Sequence, residues 1–95
     1  MDNPKIYYCI AGFRQFVVPK DNIIERDGLL ISAIMAFSVD PQPSVVRGVQ
    51  GSPLTLGITP MPNAFLQCSF ICDLREDDPL YKEMIKVLGQ ERKVN

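Results

Sequence analysis

The sequence contains no histidine and no tryptophan. Without histidine the chain lacks the usual general base, the commonest metal ligand and the side chain that changes charge near neutral pH. It also lacks a basic excess, since ten Lys and Arg stand against eleven Asp and Glu. Nucleic-acid binders carry a basic patch or stripe. Here Arg14, Lys20, Arg26, Arg47 and Arg75 are scattered singly, which weighs against that class. Long apolar runs are missing too. The longest, residues 29–37, falls well short of the roughly 20 residues of a membrane-spanning helix. The N-terminus shows no basic segment followed by an apolar one, so no export signal and no membrane partner are expected. Cysteine is sparse and odd in number: Cys9, Cys68 and Cys72 read as reduced, mostly buried thiols of a cytoplasmic protein.

Charge is absent from the middle of the chain. Between Gly28 and Cys72 only Asp40 and Arg47 are ionised, where average usage would place about 11 charges. The other charges crowd into the two ends. Prolines 41, 43, 53, 60 and 62 interrupt this stretch, so it is part of a globular fold. In 95 residues so long a segment cannot all be core. Some of its outward side chains face a partner, or are the Ser, Thr, Gln and Asn of an uncharged surface.

The length suits one domain over residues 1–95, with residues 1–4 and 90–95 fraying. Residues 5–11 and 13–18 read as strands, punctuated by Gly12 and Pro19. Asp27-Gly28 is a hairpin signal. Residues 29–39 alternate in period two, with Leu29, Ile31, Ala33, Met35, Phe37 and Val39 on one face; a buried helix is the competitor. Strands are expected over 44–50, 54–59 and 64–74, with a rigid loop over 60–63. Asp78 and Pro79 open a helix as N-cap and first residue, and Gly89 is a plausible stop. The expected class is therefore mostly β (α+β). The chain should form a compact antiparallel sandwich or partial barrel of six to seven strands with a C-terminal helix.

Catalytic groups are hard to assemble. No cysteine has a histidine to activate it. Cys68 and Cys72 lie about 13 Å apart along a strand, too far to share one zinc. Helix capping accounts for the acidic run Glu76-Asp77-Asp78. Arg47-Gly48-Val49-Gln50-Gly51-Ser52 lacks the lysine and the following helix of a phosphate loop. No catalytic residue, cofactor or metal is expected.

Two function classes remain. The first is a small non-enzymatic interaction module (an adaptor, inhibitor or assembly subunit) docking through a charge-poor β surface and self-associating. Its contact residues would be Leu30, Ile34, Met61, Phe65 and Ile71, on the less apolar parities of the strands or in the proline-braced loop. The second is a binder of a nucleotide-like anion, using Arg14, Arg26 and Arg47 to hold phosphate and Tyr8 and Phe13 to stack on a base.

Overall fold

A computed structural model describes residues 3–42 and 55–93. The elements in chain order are β1 (Ile6–Ala11), β2 (Arg14–Pro19), β3 (Ile23–Asp27), β4 (Leu30–Gln42), β5 (Thr55–Gln67), β6 (Phe70–Asp73) and α1 (Pro79–Lys93). All strand pairings are antiparallel, and the sheet curls into a half-barrel. Period two wins over residues 30–39, which enter β4 as strand and not as buried helix, while Leu29, expected on the same face, falls in the preceding turn.

The first two hairpins are set by glycine. Ala11 pairs with Arg14 across Gly12-Phe13, and Asp27 pairs with Leu30 across Gly28-Leu29. Both glycines have positive φ, +65° and +58°, and each comes first in its two-residue loop. That is what a type II′ turn requires. β4 carries β2 and β3 end to end on one edge and β5 along its whole length on the other.

β5 then runs into β6, and the break between them draws the ends of the sheet together. The Cys68 amide donates to the Leu29 carbonyl, while the next amide, Ser69, donates to Ile10. Successive residues of an extended chain offer their amides to opposite edges, so this link touches β4's hairpin on one side and β1 on the other. The single strand expected over 64–74 is therefore two. The rigid loop expected over 60–63 is strand within β5. Its prolines are tolerated because β5 lies on a free edge of the described sheet, where a missing N–H breaks no ladder bond. They also guard that edge against pairing with another chain. The strand expected over 44–50 lies outside the described residues.

The β4–β5 hairpin carries one irregularity. Pairing runs from Leu30↔Gln67 to Gln42↔Thr55 and skips only Ile34 opposite Asn63. Asn63 has φ +53°, a left-handed conformation that asparagine tolerates better than most residues. Beyond this point the faces exchange. Ile31 and Ala33 point into the half-barrel with Cys9, Phe16, Val18, Leu66 and Cys68. Met35, Phe37 and Val39 have the same parity but point outward, into a second layer with Ile6, Val17, Tyr81 and Met84. The single apolar face read from residues 29–39 is thus corrected: its two halves serve two different cores.

α1 closes the second layer. Asp78 caps it, its Oδ1 accepting from the Leu80 amide at 2.8 Å, and Pro79 fills the first helical position. Tyr81 and Met84 are buried against the sheet, and the Tyr81 hydroxyl donates to the Pro4 carbonyl at 2.6 Å. The helix continues through Gly89 to Lys93, so the glycine does not stop it. Asp78→Ala is expected to lower the unfolding free energy by about 1 kcal/mol, read from urea denaturation. A change indistinguishable from zero would remove the capping argument.

Candidate interaction surface

The outer face of the β4–β5 hairpin has two halves. α1 covers the half that carries Phe37 and Val39, with Met35 and Ile58 packed alongside. The other half carries Leu30, Ser32, Ile34 and Phe65 and is bare among the described residues. Ser32 pairs with Phe65, and β3 extends this platform through Glu25↔Ser32 and Asp27↔Leu30. The register shift between Ile23 and Glu25 brings Ile24 out beside them. Relative exposure is 66% for Ile24, 37% for Leu30, 57% for Ile34 and 66% for Phe65. Single exposed apolar residues are ordinary, but a contiguous group on one sheet face is not.

Alternation along β3 sorts its charges. Glu25 and Asp27 face outward, whereas Arg26 pairs with the buried Ile31 and lies on the opposite side of the sheet, its end exposed. The Arg26 guanidinium lies 4.7 Å from the Tyr7 ring centroid, and Lys20 Nζ lies 4.4 Å from the same ring. Lys20 also pairs with Asp73 at 2.9 Å, which raises the lysine pKa and lowers that of the carboxyl. Glu25, Asp27, Leu30, Ser32 and Phe65 enclose a depression of about 150 Å³. Neither carboxylate has an ion-pair partner among the described residues.

Of the five contact residues expected from sequence, Leu30, Ile34 and Phe65 come together on this face. Met61 and Ile71 do not. Both are partly buried against the layer inside the half-barrel, because the exchange at Asn63 and the break at Cys68-Ser69 turn them inward. Sequence reasoning missed Ile24, Glu25 and Asp27. The alternation of Glu25, Arg26 and Asp27 was a usable signal, but the bulge that exposes Ile24 has none.

The anion-binding set is dispersed. Arg14 donates to Ser38 Oγ at 2.8 Å and lies over Phe16. Arg26 is exposed, lies over the Tyr7 ring and donates from Nε to the Gly28 carbonyl at 3.0 Å. Tyr8 faces the opposite side of β1, donates to Gln15 Oε1 at 3.0 Å and lines a depression of about 370 Å³ with Cys72, Leu74 and Leu80. Burial pushes its pKa up. Phe13 is fully exposed at the first turn. Arg47 lies outside the described residues.

Burial first, and then the neighbouring Cys68, push the Cys9 thiol up to about 12; burial likewise raises Cys68. Thiols held protonated in this way are poor nucleophiles. Among the described residues no three Cys, Asp or Glu side chains converge as a metal site would need, and no helix is long and apolar enough to cross a membrane. No family model, curated protein or solved structure matches this chain, so its bare sheet face stands as the surface to be explained.

Proposed function

We propose that this chain is a small non-enzymatic interaction module that docks another polypeptide through the outer face of β3, β4 and β5. The observation that carries the reading is the half-covered hairpin. One face of one continuous strand pair is sealed by a helix over Phe37 and Val39 and left open over Leu30, Ile34 and Phe65. An uncovered β face of this kind buries apolar area when a partner lands on it, at about 25 cal/mol per Å². The scarcity of charge from Gly28 to Cys72 lowers the desolvation penalty of that contact. Self-association is one form the docking could take.

The test is Phe65→Ser. Phe65 lies on the solvent side of an edge strand, so the variant is expected to change the unfolding free energy by less than about 0.5 kcal/mol. Fluorescence of the apolar probe ANS on the native protein should fall by more than half. Light scattering across a concentration series reads whether a second copy is the partner. Unchanged ANS fluorescence with an unchanged melt would defeat the reading.

A further inference from the structure

The bare face is apolar at its centre and acidic along one side, which constrains what can cover it. β3 presents Glu25 and Asp27 outward, in register with Ser32 and Leu30. Among the described residues, the basic side chains near it are engaged elsewhere. Arg26 lies over Tyr7 on the opposite side of the sheet, Lys20 is on Asp73 and Tyr7, and Arg14 is on Ser38. A second copy of this chain would bring two more carboxylates to the contact and, among the described residues, no cation from the same face. Burying carboxylates without partners costs more than an exposed pair returns.

Resting on the docking reading above, we propose that the occupant is a basic, amphipathic segment of another protein, laid across β3–β4–β5 with an arginine side chain in the depression formed by Glu25, Asp27, Leu30, Ser32 and Phe65. The lining chemistry matches that side chain part by part. Leu30 and Phe65 offer apolar surface for the methylene stem. The exposed Phe65 ring offers a face for a planar guanidinium. Glu25 and Asp27 stand on alternate residues of one strand, so both carboxylates reach the same side of it and can accept from the guanidinium fork. Ser32, which also lines the depression, adds a hydroxyl acceptor. The depression, about 150 Å³, has room for a side-chain head. The rest of the segment then lies over Ile24 and Ile34, which are exposed on the same platform. Lysine fits less well, because a compact ammonium is more strongly hydrated and makes no bidentate bond.

The experiment uses the full chain labelled with ¹⁵N and three synthetic eight-residue peptides. Each alternates valine with arginine, lysine or glutamate. The arginine peptide is expected to shift the amide signals of residues 24–34 and 63–67 selectively, and to bind several-fold more tightly than the lysine peptide. The glutamate peptide should leave these signals in place. Glu25→Gln with Asp27→Asn keeps the shape of both side chains and should weaken the arginine peptide at least tenfold; raising the salt concentration should weaken it in the wild type. Equal binding of the glutamate peptide, or shifts spread over the whole surface, would overturn the arginine assignment. Signals of the same residues moving with protein concentration alone, without peptide, would overturn it in favour of a second copy while leaving the docking reading intact. If no peptide and no concentration moves them, both readings fail.

Discussion

Phe37→Ala is expected to remove about 3–5 kcal/mol of stability. Phe37 is 0% exposed and is the largest fully buried side chain among the described residues. It stands on the outer side of β4 where β2 pairs with it, in one layer with Ile6, Val17, Val39, Tyr81 and Met84. Truncation opens a cavity under α1 that neither side can close: the sheet is locked by its ladder, and the helix is tied down at Asp78 and at the Tyr81–Pro4 hydrogen bond. A domain of this size has roughly 5–10 kcal/mol in total, so the variant should sit near the edge of folding. Urea titration followed by circular dichroism measures it. A loss below about 1 kcal/mol would mean that α1 is not seated on Phe37.

The second large effect concerns the thiols. With iodoacetamide at about pH 8, one cysteine should react quickly and two should react very slowly. Cys72 is partly exposed and lines the depression beside Tyr8, so it should carry the fast adduct. Cys9 and Cys68 are buried and become accessible only when the fold opens. With about 5 kcal/mol of stability, opening limits them to rates roughly 10³–10⁴-fold slower. Peptide mapping by mass spectrometry assigns each adduct. Rapid modification of Cys9 would show that the interior of the half-barrel is open. The same burial gives an alkaline limit. The pKa of Cys9 is raised on folding, to about 12, so the unfolded chain releases this proton first as pH climbs. Its contribution to stability is complete below about pH 9 and is lost as the pH rises toward 12. Cys9→Ala should flatten that part of the stability–pH curve.

The residues that made the fold legible are those whose signal is local. Gly12 and Gly28 fix two turns, Asp78 and Pro79 start the helix, and period two over residues 29–39 separates strand from helix. What stayed hidden depends on contacts formed only in space. The exchange of faces at Ile34 and Asn63 leaves the sequence pattern unbroken, because both sides of the switch are apolar: Ala33 and Met35 serve different layers with no polar marker between them. Pro60 and Pro62 read as loop residues until β5 is known to be an edge. The candidate surface was half legible for the same reason. Leu30, Ile34 and Phe65 could be placed outward by parity, whereas Met61 and Ile71 lie beyond points where parity changes.

The junction at Cys68-Ser69 also bears on how the chain reaches this structure. It makes β1 depend on β6, since Ile10 pairs with Phe70 and Tyr7 with Asp73. A topology that is completed by partners so distant along the chain folds more slowly than one built from neighbouring hairpins alone. On the ribosome, at roughly 5–20 residues per second, β1 and β2 emerge seconds before the strand that completes their sheet. During that interval the early hairpin has an unsatisfied edge, and a slower translation rate would lengthen the time it stays open.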